Sequence, residues 1–328
     1  MRARRGVALL AALWLVVAIA AVALQFSIEA RERRAIGILT SERGIQRGAA
    51  LGALAMTQAR LEQALRIGPN VTNNPQLARL RATDPWFGVD STFSGEVLVD
   101  SMPVEVEIHD LGEKLNINRM SEVQLQQFFS FLLNDYSAST HLSQAIMDWR
   151  DADSTQRPSG AERDAYIKAE MLALPTNAPF REIEELRNVM GMTPEIYAAV
   201  VPYLTTHGTQ NQVNLNSAPV PVLRALPGMT DVTLSLILQM RSQGRRINNV
   251  TDVLPQATQG PQGGRGGGRA GQLNTPGVLN QLQSAVTTVT NEIELSITSR
   301  AGPQAHPSKL TAILARRGNN ALLQSKLW

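Results

Sequence analysis

The chain has 328 residues, of which 43% are hydrophobic and 18% are charged, and its formal net charge is +3. This length predicts about two domains with hydrophobic cores. The net positive charge is small, so it does not indicate the dense basic surface that is typical of nucleic-acid binding. Cysteine is absent, which excludes a disulfide framework and thiol chemistry.

The first predicted element is a long helix whose beginning is apolar. Residues 7–24 are eighteen residues without a charged or amide side chain, just enough to cross a bilayer as a helix. Three arginines precede this stretch. The helical pattern then becomes polar and continues to about residue 67, where a Gly-Pro-Asn sequence ends it.

Three interpretations of this first segment are open. A secretory signal peptide would be cut after Ala21-Val22-Ala23, whereas an uncleaved anchor would stay in the membrane. A type IV pilin-like leader would be cut after Gly6, so that Val7 begins the mature chain. The third interpretation fits both the glycine at the start of the apolar stretch and the uninterrupted helix beyond it. Charge does not decide the orientation, because arginines also follow the apolar stretch.

Strand-like segments lie on both sides of a helical block, which runs from about residue 121 to residue 253. They are residues 94–99, 104–108, 292–298 and 309–314. Short antiparallel strands need partners to be stable, so the two groups are expected to pair in one sheet on the long helix. The helical block is then an insertion in that sheet.

An internal repeat occurs inside the block. The sequence Lys114-Leu115-Asn116-Ile117-Asn118 returns 98 residues later as Gln212-Val213-Asn214-Leu215-Asn216. A helical segment that ends in apolar residues and an arginine follows each copy. The repeat predicts two related halves.

The sharpest local motif is the segment from Asp151 to Glu162. Oxygen-bearing side chains at positions 1, 3, 5 and 9, with glutamate at position 12, match the spacing of an EF-hand calcium loop. Gln156 replaces the usual glycine and Pro158 lies inside the loop, so an irregular calcium loop is expected. A solvated acidic turn is the alternative. The predicted ligands are Asp151, Asp153, Thr155 and Glu162, with Asp148 as a further one.

A second motif, in residues 213–241, resembles a helix-hairpin-helix with Leu226-Pro227-Gly228 as its hairpin. Such a hairpin can offer backbone N–H groups to a phosphate, but Asp231 would repel one. We therefore expect the helix-hairpin-helix fold without nucleic-acid binding. An envelope helix-hairpin-helix DNA-binding protein is the alternative function.

The sequence offers no constellation for catalysis, and no enzyme activity is expected. The four histidines are isolated and lack the spacing of a zinc site. A nucleophile elbow and a phosphate loop are absent as well.

Taken in order, these motifs resemble the K proteins of the general secretion pathway, which are large minor pseudopilins of type II secretion. The resemblance covers nearly the full length. It lies in Arg5-Gly6-Val7-Ala8-Leu9-Leu10, Gly112-Glu113-Lys114-Leu115-Asn116-Ile117-Asn118, Asp148-Trp149-Arg150-Asp151-Ala152-Asp153, Gly160-Ala161-Glu162, Pro179-Phe180, Glu184-Glu185-Leu186, Val213-Asn214-Leu215-Asn216 and Leu226-Pro227-Gly228.

The resemblance implies a function and its partners. Prepilin peptidase would cleave after Gly6 and methylate the amine of Val7. Ala11 stands where most pilin-like subunits carry a glutamate, and K proteins similarly lack it, as suits a subunit at the tip of the filament. The family also implies binding to the minor pseudopilins I and J, priming of pseudopilus assembly for protein export, and calcium as a cofactor in the helical domain.

The predicted fold is α+β: a type IV pilin-like long N-terminal helix packed on an antiparallel sheet, with a large inserted all-α domain of helix-hairpin-helix or SAM-like type. The chain would be a single-pass protein of the bacterial inner membrane with its bulk in the periplasm. The expected parts are a leader (1–6), the membrane and pilin helix (7–67), the first part of the pilin-like domain (68–110), the helical domain (111–258), a Gly-rich flexible loop (259–272) and the remaining strands (273–328).

Overall fold

The computed structural model describes residues 3–67, 81, 84–89, 93–209, 212–254, 276–302 and 305–328. The Gly-rich loop expected at 259–272 lies outside these residues, so its flexibility stays a prediction.

One helix, α1 (Ala3–Ile67), continues from the apolar stretch into the folded part of the molecule. It is the one helix of the described chain that is long and apolar enough to cross a membrane. Every residue described from 12 to 40 is exposed. Further along, Ala50, Ala53 and Leu61 have no exposed surface, because this part of α1 packs on the sheet.

The sheet has five antiparallel strands in the order β1-β2-β7-β8-β9. Its strands are β1 (Gly95–Val99), β2 (Met102–Asp110), β7 (Glu292–Ser299), β8 (Ser308–Arg317) and β9 (Asn320–Leu327). Alternation along β2 turns Val104, Val106 and Ile108 towards α1. Val106 pairs with Ile297, so strands from before and after the helical block join one sheet, as predicted.

The helical domain has its own core, separate from the core between α1 and the sheet. Trp149 stacks on Phe180 at 6.1 Å between ring centroids and forms part of this core. The helices of this domain are α2 (Glu122–Leu133), α3 (Tyr136–Arg150), α4 (Arg163–Lys168), α5 (Pro194–Val200), α6 (Val220–Arg224), α7 (Asp231–Ser242) and α8 (Pro276–Ala285).

The core of the helical domain extends further along the chain than the boundary expected at residue 258. Leu282 of α8 and Val286 are 1% and 3% exposed and belong to this core, although residues 273–328 were expected to contribute strands of the other domain. The reason is a non-local pairing: the short strand β6 (Val286–Thr287) runs parallel to β5 (Val213–Asn214).

The two copies of the sequence repeat make the same contacts. The strand β3 (Leu115–Asn116) pairs in parallel with β4 (Leu204–Thr205), as β5 does with β6. The side chain of Asn118 accepts from Phe180 N and donates to Phe180 O, both at 2.8 Å. Asn216 makes the same two bonds with the backbone of Ile247, both at 2.9 Å. Each asparagine therefore ties the start of its half to a later loop.

Two acidic groups, the partly buried Asp110 and the buried Asp84, connect the helical domain to the sheet. Asp110, the last residue of β2, accepts hydrogen bonds through Oδ2 from Asn214 at 2.9 Å and from Thr290 at 2.9 Å. Asp84 forms a 2.8 Å ion pair with Arg246, and the side chains of both are at most 8% exposed. Thr290 donates its backbone N–H to Asp84 at 3.2 Å and thus links both acids.

Candidate functional site

The acidic loop between α3 and α4 is held against α3 and against a later loop of the domain. Ser159 donates its backbone N–H to the side chain of Gln144 at 2.6 Å, and its carbonyl oxygen lies 2.6 Å from Nδ1 of His141. Both partners belong to α3. The side chain of Asn177 also donates to Asp153 O at 2.5 Å, so a later loop covers the motif. The acidic loop therefore has a defined shape.

Three of the predicted ligands come together in this loop. Carboxylate oxygens of Asp151, Asp153 and Glu162 lie within 4.8 Å of one another. Glu162 is only 6% exposed. Within the described part of the chain, both oxygens of Glu162 and Oδ1 of Asp151 are buried without a hydrogen-bond partner. Unsatisfied carboxylate oxygens at this separation match the donor set of a hard divalent cation.

The electrostatics of Glu162 reflect the same arrangement. Burial raises the pKa of Glu162, and the negative charges of Asp148 and Asp151 raise it further. The backbone N–H of Arg163 lies near the carboxylate without forming a hydrogen bond of good geometry, and it opposes this shift without reversing it. The ionised glutamate is therefore only partly compensated, and a bound cation would supply the rest.

Asp148 is placed differently from the other predicted ligands. Its side chain has no exposed surface, and its Oδ1 lies 2.5 Å from Nη1 of Arg157. Its Oδ2 accepts the backbone N–H of Arg157 at 3.2 Å. A Cβ on Gly160 would lie 2.0 Å from that oxygen, so only glycine leaves room for the carboxylate. Asp148 thus supports the loop and does not join the three clustered carboxylates.

Thr155 contacts the cluster through its backbone, and its role as a ligand stays a prediction. The residue is exposed, and its backbone N–H donates to Oδ1 of Asp153 at 2.8 Å. The contact shapes the turn around Asp153. The sequence reasoning also missed Arg157, although an arginine inside an acidic loop was a usable signal.

Two other predicted features lie outside this loop. Gly6, Val7 and Ala11 are within α1, and cleavage and methylation at the first two stay predictions. Asp231 begins α7 with 83% of its side chain exposed and pairs with Arg224 at 3.0 Å. An exposed acid at this hairpin opposes phosphate binding, because like charges repel.

Comparisons with known proteins agree with this architecture. The family model described as type II secretion system (T2SS), protein K, matches residues 109–208. Type II secretion system protein K of Dickeya chrysanthemi is 32% identical over 152 residues, which are 44% of this chain and 41% of that protein. The protein of the same name from Pseudomonas aeruginosa is 25% identical over 232 residues, 69% of this chain and 68% of that protein. The alignment with the Dickeya protein thus spans less than half of that relative.

A solved structure shares the fold. A chain in the crystal structure of the GspK-GspI-GspJ complex from the enterotoxigenic Escherichia coli type 2 secretion system matches with a TM-score of 0.61 and 17% identity. The match covers 88% of this chain and 98% of that one.

The long helix on an antiparallel sheet, with a helical domain inserted between two neighbouring strands, defines a pilin-like subunit with an added domain. Residues 109–208 match the type II secretion system protein K family, which confirms the resemblance seen in the sequence. The fold class predicted from the sequence is also confirmed.

Glu162→Gln should stabilise the metal-free protein at neutral pH. Because the folded-state pKa of Glu162 is raised, ionisation of this group costs stability as pH rises from its unfolded pKa through its folded pKa. The substitution removes that cost. Thermal melting in a chelator should show a higher Tm for the variant at pH 7 and no advantage below the unfolded pKa of about 4.3. Glu32→Gln, at an exposed glutamate of α1, is the control. A lower Tm for Glu162→Gln at pH 7 would contradict this account of the site.

Proposed function

We propose that this protein is the minor pseudopilin at the tip of the type II secretion pseudopilus. There it binds the minor pseudopilins I and J and primes assembly of the filament for protein export across the outer membrane. One observation carries the proposal: α1 extends beyond the sheet as an exposed helix that keeps apolar side chains after its membrane-length stretch.

These side chains are suited to packing against other helices. Ile36, Ile38, Leu39 and Ile45 are 63%, 53%, 52% and 54% exposed in the isolated chain. Apolar residues exposed along one helix mark a contact surface for a partner. The structure similar to this chain is that of a complex with GspI and GspJ, which supports these two partners.

The N-terminal stretch fits storage in the inner membrane before assembly. After cleavage at Gly6 by prepilin peptidase, the apolar half of α1 would anchor the subunit with its bulk in the periplasm. Ala11 fits this picture, since an acid at that depth is costly without a partner and a tip subunit has no subunit above it.

The helical domain would act as the cap. It is inserted between β2 and β7 and is connected to the sheet by the hydrogen bonds of Asp110 and the ion pair of Asp84. It therefore forms a bulky and rigid addition to one end of the pilin-like domain. Its bulk would prevent another subunit from stacking beyond it.

We further propose calcium as the cofactor of the acidic loop. Asp151, Asp153 and Glu162 would hold the ion through their clustered carboxylates. When bound, calcium supplies positive charge that cancels the repulsion among these groups. The buried oxygens of Glu162 without partners support this assignment.

The partner surface can be tested with one substitution at two nearby positions. Leu39→Asp should weaken complex formation with the I and J proteins of the same organism at least tenfold, because it places a charge in an apolar contact. Ser41→Asp is the matched control, since Ser41 is exposed and residues two apart point about 160° away from each other around a helix. Copurification or calorimetry measures both. Equal binding by the two variants would move the interface away from this face, and no binding by the wild type would refute the proposed partners.

Calcium should raise the melting temperature of the wild type relative to a chelator. An ion present at 100 times its Kd contributes about 2.7 kcal/mol of stability. The double variant Asp151→Ala with Glu162→Ala should lose this dependence. Asp164→Ala, at an exposed acid beside the loop, should retain it. If the double variant still responds to calcium, the ion binds elsewhere.

A further inference from the structure

Arg157 is placed inside the acidic loop like a bound cation. Its Nη1 lies 2.5 Å from Oδ1 of Asp148 and 2.6 Å from Oδ2 of Asp151. Its Nε is 3.4 Å from Oε2 of Glu122 on α2. One guanidinium therefore compensates Asp151 of the proposed calcium cluster and the neighbouring Asp148.

The carboxylate oxygens of Asp148, Asp151 and Glu162 fall into two groups. Those bonded to Arg157 belong to Asp148 and Asp151. Those without a partner are Oδ1 of Asp151 and both oxygens of Glu162. Asp151 contributes to both groups, so a cation on its Oδ1 would sit only a few ångströms from the guanidinium on its Oδ2. Like charges at such a distance repel strongly in a partly buried site.

We propose that Arg157 is an internal cation that competes with calcium for Asp148 and Asp151. This inference rests on the proposed calcium site and concerns its regulation. In the metal-free chain, Arg157 compensates the buried Asp148 and keeps the loop folded. When calcium binds, Arg157 gives up these two carboxylates and Asp148 becomes free to join the ligands.

Glu122 provides an alternative partner for the displaced guanidinium. It already lies near Nε of Arg157, and its Oε1 accepts a hydrogen bond from Gln144 at 2.9 Å. Its side chain is 39% exposed, so a stronger pair can form there without burying a new charge. Exchange of partners would therefore couple the cation site to α2.

If Arg157 competes with calcium, its replacement should change stability and calcium affinity in opposite directions, which is not expected of an arginine that only shapes the loop. Arg157→Gln should lower the Tm of the metal-free protein, because Asp148 loses its buried counter-ion. The same variant should bind calcium about tenfold more tightly, since the ion no longer displaces a positive charge. A residue that only holds the loop in shape would lower both stability and affinity when replaced.

The experiment is calorimetric titration of calcium into the full-length, detergent-solubilised protein, with melting in chelator alongside. Arg163→Gln is the matched control because it removes an exposed positive charge next to Glu162; its affinity should stay within about threefold of wild type. Arg157→Lys keeps the charge but loses the guanidinium, whose Nη1 and Nε reach separate carboxylates, so it should fold and bind calcium severalfold more tightly than wild type.

The outcomes separate this inference from the calcium proposal. Wild type that binds calcium, together with Arg157 variants that bind no more tightly, overturns the competition and leaves the site. Wild type that binds no calcium overturns both. If Arg157→Gln does not fold, the affinity of Arg157→Lys decides the question.

Discussion

β2 and β7 are neighbours in the sheet, although residues 111–291 separate them in the chain. The chain enters the helical domain at the end of β2 and returns to the sheet at the start of β7. Because these strands are neighbours, the pairing holds the two ends of the helical domain close together. The long-range register brings Ile108 opposite Leu295 and buries both against α1. The sheet, the seat of α1 and the position of the helical domain all depend on this pairing.

Hydrogen bonds between the helical domain and the sheet make this connection rigid. Thr290 follows the helical domain and bonds to Asp110, where β2 ends, and to Asp84 before the first strand. A buried carboxylate is stable only while its hydrogen-bond donors remain in contact with it, because an unpaired buried charge is costly. The network therefore favours one orientation of the domain. The role proposed for this domain, to end a filament, would require such a fixed orientation. The acidic loop, in contrast, leaves oxygens without partners and is suited to binding an ion.

Much of the fold could be predicted from local patterns. The period-two alternation of β2 and the apolar stretch of α1 are visible in the sequence, and the repeated asparagines indicated equivalent loops. Strand β9 was not singled out, because the adjacent Leu322 and Leu323 at this edge are both exposed and break the alternation. The return of α8 to the helical core could not be inferred, since the pairing of β6 with β5 is non-local.

Only part of the candidate site could be predicted, because some of its contacts are also non-local. Spacing alone selects residues that can face one point, and it identified Asp151, Asp153 and Glu162. It does not show that Asp148 turns to the guanidinium of Arg157, because that contact depends on the path of the loop past Gly160.

The central claim is that the chain is a pilin-type subunit, assembled after processing of its N-terminus. Intact mass and N-terminal sequencing of the protein from membranes of its native host test this most directly. The account predicts a chain that begins at methylated Val7. A chain that begins at Leu24, or one that retains Met1, would contradict it.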